Sequence, residues 1–68
     1  MKSYLFSLAY VENGHKENKE HSELFECDAD AMQRAREILK ESKRDGCGIQ
    51  IDVYRKNTKT WHHVVSYQ

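Results

Sequence analysis

Residues 28–46, DADAMQRAREILKESKRDG, carry the pattern of an amphipathic helix with a marked start and stop. Asp28 is a favoured N-cap residue, and Asp30 lies in the first turn, where negative charge suits the helix dipole. Lys43 and Arg44 fall in the last turn, and Gly46 supplies a C-terminal stop. The apolar stripe at helical spacing consists of Ala31, Ala35, Ile38, Leu39 and Ser42, with Met32 on its border. We therefore predict one helix that packs through this stripe.

The sequences on both sides of the helix have the character of strands. Residues 3–11, SYLFSLAYV, are apolar on both faces, which is typical of a central strand. Residues 48–56, GIQIDVYRK, alternate cleanly between apolar and polar types. Residues 60–67, TWHHVVSY, form the last strand after a turn at residues 57–59. The predicted order is therefore strand, strand, helix, strand, strand.

The polar stretch ENGHKENKEH leaves two interpretations of the first hairpin open. It contains Asn13-Gly14, a strong turn signal. A two-residue turn there would place Phe6 opposite His21, whereas a longer loop would shift the second strand along the first. We favour the longer loop, or a protruding polar ribbon, so the second strand runs over roughly residues 21–27.

Together these elements predict an α+β fold of the ββαββ type in a single domain, residues 1–68. Antiparallel hairpins on both sides of one helix favour a four-stranded, mostly antiparallel sheet in the order 2-1-3-4. The helix packs on one face of that sheet. A helix about 10–12 Å across cannot cover four strands spaced about 4.8 Å apart. Uncovered apolar sheet surface is therefore expected, and such surface usually marks an interaction site.

Composition excludes several classes of function. Eleven basic and eleven acidic residues cancel, so there is no long-range attraction to nucleic acid or anionic membranes. No apolar run approaches the ~18 residues that span a bilayer. The start, MKSYLFSLAYVENG, resembles a signal peptide, but Ser7 interrupts it and no small-residue cleavage site follows. We interpret it as a strand and expect a cytoplasmic protein without a membrane partner.

The histidines do not have the spacing of a metal site. His62 and His63 are neighbours on a strand, so they point to opposite faces and cannot both bind one ion. His15 and His21 are candidates only if the first hairpin folds back suitably. None of these spacings matches a zinc signature. We expect no metal and no cofactor.

Neither cysteine chemistry nor a catalytic arrangement is evident. Cys27 and Cys47 flank the helix, roughly 25 Å apart, which exceeds the ~7 Å limit for the Cα atoms of a disulfide. Free thiols of this kind are typical of a reducing compartment. No spacing assembles a nucleophile, a base and an orienting carboxylate, and there is no glycine-rich phosphate loop. We therefore expect the protein not to be an enzyme.

Two functions remain. The one that we favour is a small non-catalytic protein-binding module, because it needs only a stable scaffold with an uncovered face and a free edge strand. Self-association, as a homodimer through an isologous sheet or edge contact, is its simplest form. The partner-binding residues that we predict are Tyr54, Arg55, Lys56, Trp61, His62 and Val64. The alternative is single-stranded nucleic-acid binding, in which Tyr54 and Trp61 stack bases beside basic residues.

The face that Trp61 takes depends on the second turn. A three-residue turn pairs Val53 with His63, which directs Trp61, His63, Val65 and Tyr67 to the core and leaves His62 and Val64 outside beside Tyr54. A two-residue turn shifts everything by one, so that Val64 joins the core and Trp61 and Val65 are exposed. We favour the three-residue turn because it collects more apolar area on one side.

The pattern resembles two groups of small proteins. Uncharacterised bacterial domains share an aromatic-x-aromatic first strand, here Tyr4-Leu5-Phe6, a helix opening of the type seen at Asp28 to Leu39, and an IxIxV strand, here Ile49 to Val53. In size and architecture the chain also resembles the phage-encoded inhibitors of bacterial immunity of the anti-CRISPR kind. The second resemblance implies a phage or mobile-element accessory protein that blocks a partner sterically. It assigns no functional residue.

Overall fold

The computed structural model describes residues Met1–Gln68 and contains four strands and one helix. The elements are β1 (Lys2–Glu12), β2 (His15–Phe25), α1 (Asp28–Arg44), β3 (Gly48–Asn57) and β4 (Thr60–Tyr67). All neighbouring strands are antiparallel, and the sheet order is β2-β1-β3-β4. The predicted ββαββ α+β fold and its sheet order are confirmed.

The core lies between α1 and one face of the sheet. Its seven buried residues are Tyr4, Phe6, Ala31, Ala35, Leu39, Ile51 and Val53. The two central strands supply the large side chains and the helix supplies mostly small ones, so the helix axis can approach the sheet closely. The predicted helical stripe is confirmed, with Ile38 half-buried at its side. Gly48 begins β3 so close to the end of α1 that a Cβ there would lie 2.4 Å from the Cβ of Ser42.

The first hairpin has a tight turn, and the favoured longer loop is wrong. Asn13 and Gly14 form the two-residue connection with φ values of 52° and 79°, the left-handed pair that such hairpins favour. Phe6 accordingly pairs with His21, and β2 begins at His15 instead of at residue 21. The first eight residues of β2 are exposed. No burial pattern therefore marked them as a strand, and the turn residues were the only signal.

The second hairpin also has a two-residue turn, at Thr58–Lys59, so the favoured three-residue turn is wrong. The β3–β4 ladder shifts register once, between the pair Tyr54–His63 and the pair Val53–Val65. One extra residue, Val64, therefore stands in β4 as a β-bulge.

The two-residue turn and the bulge together change which β4 side chains meet the helix. Trp61 and His63, predicted in the core, lie on the face away from α1. Val64, predicted outside, packs against the core together with Val65, and Tyr67 lies there as predicted. A regular strand cannot send two consecutive residues to one face, but a bulge can. The register of the two-residue turn therefore holds from Thr60 to His63 only. Beyond the bulge, Val65 and Tyr67 face the core as the three-residue turn predicted, but they pair with Val53 and Ile51 and not in the predicted register.

The ends of α1 differ in one respect from the prediction. The N-cap position is taken by Cys27, whose side chain makes no capping hydrogen bond, and Asp28 is the first helical residue. The C-terminal stop at Gly46 is confirmed, since its φ is 84° and its N–H donates to the carbonyl of Lys43. Both cysteines are free thiols. With 17 residues and a largely polar surface, α1 is neither long nor apolar enough to cross a bilayer.

Candidate functional site

The sheet face opposite α1 is covered by no other element. Successive side chains on a strand point to opposite faces, so burial of Phe6 and Val53 against the helix turns Leu5 and Tyr54 outward. The register carries the same alternation to the outer strands. We call this surface the open face, and its central members are Leu5, Ser7, Ala9, Gln50, Asp52, Tyr54, Lys56, Trp61, His63 and Ser66.

One end of the open face is aromatic. The Tyr54 and His63 rings, on neighbouring strands, meet edge to face with their centroids 5.2 Å apart. The ammonium of Lys56 lies 5.0 Å from the centroid of the Trp61 ring, within cation–π range. Trp61 nevertheless stays 40% exposed, which is high for the largest side chain in the protein. This end therefore presents large, rigid side chains to solvent.

The middle of the open face is a polar cluster of Asp52, His63 and Ser66. The Ser66 hydroxyl donates to Oδ1 of Asp52, and His63 Nε2 lies 2.9 Å from Ser66 Oγ and 3.2 Å from the same carboxylate oxygen. With the Ser66 hydroxyl donating to the carboxylate, a protonated Nε2 of His63 can donate to both Ser66 Oγ and Asp52 Oδ1. A hydrolytic triad requires the opposite, an unprotonated Nε2 facing the hydroxyl. The hydrogen bonds of the cluster therefore hold the His63 ring in a fixed orientation on the open face.

The six predicted partner-binding residues are divided between the two faces of the sheet. Tyr54, Lys56 and Trp61 share the open face, where they form most of its aromatic end. Arg55 and His62 pair with each other on the helix side, and Val64 packs against the core. His62 and Val64 therefore do not stand beside Tyr54 as predicted, because the second turn and the bulge set a different register.

Arg55 belongs to a hydrogen-bonded joint that holds the start of α1 to the sheet. Its guanidinium donates to Oδ2 of Asp28 (2.5 Å), and the Tyr4 hydroxyl donates to Oδ1 (2.5 Å). The Tyr4 hydrogen bond, followed by the Arg55 charge, holds the pKa of Asp28 below its usual value, although partial burial opposes this. Burial, and then the neighbouring carboxylate, raises the pKa of Tyr4 to about 12. The joint links β1, β3 and α1, so we assign Arg55 a structural role.

A groove of about 370 Å³ lies between α1 and β2 on the helix side of the sheet. Its floor is apolar, formed by Phe6, Leu8, Ile38 and Ile51, and its walls carry charged residues of both signs. Arg34 of one wall donates to Glu23 of β2 (3.0 Å). Burial alone would raise the pKa of Glu23, but the hydrogen bonds from Arg34 and His21 hold it below its usual value. The mixed charges do not select for an anionic or a cationic ligand.

The histidines considered as metal ligands do not converge. His62 and His63 lie on opposite faces, as the strand geometry predicted. His15 and His21 belong to β2, on the far side of the sheet from β4. No three histidine, cysteine or acidic side chains lie close enough to hold a metal ion.

No family model matches this chain, and neither the curated proteins nor the solved structures contain a significant match. Three features of the chain itself point toward function: the open face with its aromatic end, the groove beside α1, and the unpaired edge of β2. Of these, the open face alone combines large exposed aromatic side chains with an adjacent polar cluster.

Proposed function

We propose that this chain is a small non-catalytic protein-binding module that contacts its partner through the open face. The observation that carries the proposal is Trp61, exposed beside Tyr54 on a sheet face that no other element covers. Tryptophan and tyrosine are the residue types that most often dominate binding energy at protein interfaces. Their rings lose little conformational entropy on binding because few of their torsions are free.

The layout of the open face supports the same function. Its aromatic end offers anchors that a partner can desolvate, and the cluster of Asp52, His63 and Ser66 beside it offers polar groups of fixed orientation. Apolar anchors beside a polar border are the usual anatomy of a specific interface. The face carries charges of both signs, with Asp52 and Glu20 balanced by Lys16 and Lys56, so it has no excess of positive charge to attract a nucleic acid.

A binder of this size acts most simply by occupying a surface that its target needs for something else. In that case the chain is a phage or mobile-element accessory factor that inhibits by steric occlusion, as the anti-CRISPR-like proteins that it resembles in size and architecture do. The free thiols of Cys27 and Cys47 are consistent with action in a reducing cytoplasm.

The test is affinity capture with the immobilised full chain, followed by mass spectrometry of the retained proteins. Wild type is compared with Trp61→Ala, Tyr54→Ala and a control, Glu37→Ala, on the exposed side of α1. A protein that binds wild type and the control, but binds both open-face variants at least about tenfold more weakly, is the expected partner. Equal retention by all four proteins would show that the open face is not the contact surface. Circular dichroism checks that each variant is folded.

One observation favours a second candidate, binding of single-stranded nucleic acid. Tyr54 and Trp61 lie on the same face with Lys56 beside them, which is the arrangement that base stacking requires. Trp61 is the sole tryptophan, so its fluorescence reports directly on this surface. Labelled oligonucleotides titrated at low salt should quench that fluorescence if this function is correct. The absence of quenching at about 100 µM protein would exclude nucleic-acid binding, because the dissociation constants of even non-specific binding lie below about 100 µM.

A further inference from the structure

The free edge of β2 exposes a regular row of backbone hydrogen-bonding groups. β2 pairs with β1 alone, and that ladder runs from Lys2–Phe25 to Glu12–His15 without a bulge. The two-residue turn makes Glu12 and His15 a hydrogen-bonded pair, and hydrogen-bonded and free pairs alternate from there. The even-numbered residues of β2 therefore direct their N–H and C=O groups outward. The N–H of Val11, which donates away from β2 to Cys47, agrees with this alternation.

The side chains along this edge are self-complementary in charge. Residues 16–20 read KENKE, and all of them are exposed. When two such strands run antiparallel about Asn18, Lys16 of each copy faces Glu20 of the other, and Glu17 faces Lys19. Opposite charges directly across an antiparallel pair stabilise it. The two Asn18 amides meet at the axis, where each offers both donors and an acceptor.

We propose that two copies of this chain pair through their β2 edges, in the register centred on Asn18, so that the two sheets become continuous. The outward backbone groups of Lys16, Asn18 and Glu20 then form about six hydrogen bonds between the copies. The contact is isologous, as a closed dimer requires. It uses a different surface from the open face and does not rest on the proposed function.

Charged residues on an edge strand usually prevent such pairing, so the pattern of the charges has to be decisive. Registers centred on Glu17, Lys19 or Glu20 would each place two like charges opposite one another. The register about Asn18 gives every charged residue of the KENKE segment a partner of opposite sign. β4, the other edge, offers no equivalent, because the bulge at Val64 interrupts its ladder. The charges of β2 thus favour one register of pairing between two copies, and they do not prevent pairing altogether.

The first test is the mass of the full chain by sedimentation equilibrium, at concentrations up to about 1 mM and at low salt, because an edge contact is small. We expect a dimer of wild type that weakens as salt rises. Lys16→Glu with Lys19→Glu makes the segment wholly acidic, and Glu17→Lys with Glu20→Lys makes it wholly basic. Each double variant should dimerise at least about tenfold more weakly, and an equimolar mixture of the two should recover the dimer.

Two outcomes of that test overturn the proposal: a wild-type chain that stays monomeric at the highest concentration, or double variants that dimerise as strongly as wild type. The second outcome would mean that the copies meet elsewhere, for example at the open face. Trp61→Ala separates the two surfaces, because it should leave the β2 dimer intact while weakening partner binding. Thermal melts establish that each charge variant is folded.

The register is tested by disulfide cross-linking in a Cys27→Ser, Cys47→Ser background. Asn18→Cys brings two thiols to the axis, where the Cα atoms of a hydrogen-bonded pair lie about 5.5 Å apart. The control Ser22→Cys places its two thiols eight residues apart along the strands, about 27 Å. We expect a covalent dimer from Asn18→Cys and none from Ser22→Cys under the same mild oxidant. Equal cross-linking of both variants would exclude this register.

Discussion

The β1–β2 hairpin and the β3–β4 hairpin reach the same topology in different ways. In the first, Asn13 and Gly14 adopt left-handed φ values at little cost, and the ladder beyond them is regular. In the second, Thr58 holds a φ of 52°, which is unfavourable for a β-branched residue, and the ladder contains a bulge. In the first hairpin the first eight residues of β2 are exposed, whereas β4 of the second hairpin packs Val64, Val65 and Tyr67 against the core.

The difference shows which force sets the register of each hairpin. Half of the first hairpin has nothing to bury, so the turn residues decide how its strands pair. In the second hairpin Val64, Val65 and Tyr67 all pack against the core. The free energy gained by burying these side chains outweighs the cost of a poorly matched turn residue and the cost of a broken ladder, each about 1–2 kcal/mol. Trp61 is exposed as a consequence of that balance.

The largest expected loss of stability comes from a substitution at the base of the first hairpin, and a substitution near its tip should cost much less. Phe6→Ala removes a ring that is 1% exposed, so we expect it to lower the free energy of unfolding by about 3–5 kcal/mol. Val11→Ala, on the same strand but 41% exposed, should lower it by less than about 1 kcal/mol. Urea unfolding followed by circular dichroism measures both. Similar losses would mean that the tip is as well packed as the base.

The next prediction tests whether the bulge at Val64 allows an additional β4 side chain to pack against the core. Deleting Val64 leaves His63 adjacent to Val65, so the pairs Tyr54–His63 and Val53–Val65 can persist in a regular ladder. We expect a loss of about 1–2 kcal/mol, the value of one half-buried valine side chain. The fluorescence emission of Trp61 should stay that of an exposed indole. A strong blue shift would show that the strand had slipped and carried the ring into the core.

Turn substitutions should act with opposite signs in the two hairpins. Thr58→Gly removes the strain of a left-handed β-branched residue, and we expect about 1 kcal/mol of added stability. Gly14→Ala introduces a Cβ at a φ of 79°, where no atom obstructs it, so about 1 kcal/mol should be lost through backbone strain alone. Thermal melts of the two variants provide the comparison. Changes of the same sign would contradict the assignment of the turns.

The smallest effect concerns the joint that ties both central strands to α1. Because the folded-state pKa of Asp28 is lowered, its carboxylate stabilises the fold above its unfolded pKa, near 4, and this stability is lost as pH falls through the folded pKa. Asp28→Asn should therefore reduce the acid sensitivity of unfolding, by less than about 1 kcal/mol because the pair is partly exposed. Urea midpoints between pH 2 and pH 7 give the profile.

Tyr4 provides the matched alkaline control. Its pKa is raised from 10.0 to about 12, so the stability from its neutral hydroxyl is complete below pH 10 and is lost as pH rises toward 12. Tyr4→Phe should flatten that alkaline limb without changing the contribution of Glu23 to the acid limb. An unchanged alkaline limb would show that burial and the hydrogen bond to Asp28 do not raise the pKa of the Tyr4 hydroxyl in solution.

Much of the fold could be predicted from local pattern. The helix was visible because its stripe, its acidic start and its glycine stop agree with one another. The order of the strands followed from two hairpins flanking one helix. The turn at Asn13-Gly14 has a clear signature, but the exposed residues after it show no burial pattern that confirms the register. A β-bulge has no local signature, since it depends on whether two adjacent valines both find space in the core.

The candidate site could be predicted only in part. Tyr54, Lys56 and Trp61 do share a face, because residues two apart on a strand always do and the turn places Trp61 across from Lys56. The bond of Arg55 to Asp28 joins residues 27 apart, and the cluster around Asp52 joins two strands. Contacts of this kind have no signature in spacing, since they depend on register and on the height of the helix above the sheet.

The amino-acid sequence alone specified the elements and their topology, because turn residues, helix caps and apolar periodicity act within a few positions of one another. The exposed face of Trp61 was decided by the tertiary structure. Period-two alternation in β4 cannot bury Val64, Val65 and Tyr67 together, and only the packing of α1 against the sheet makes their joint burial worth a bulge. The two-residue turn, which sets Trp61 across from Lys56, places the tryptophan on the open face, where it is available to a partner.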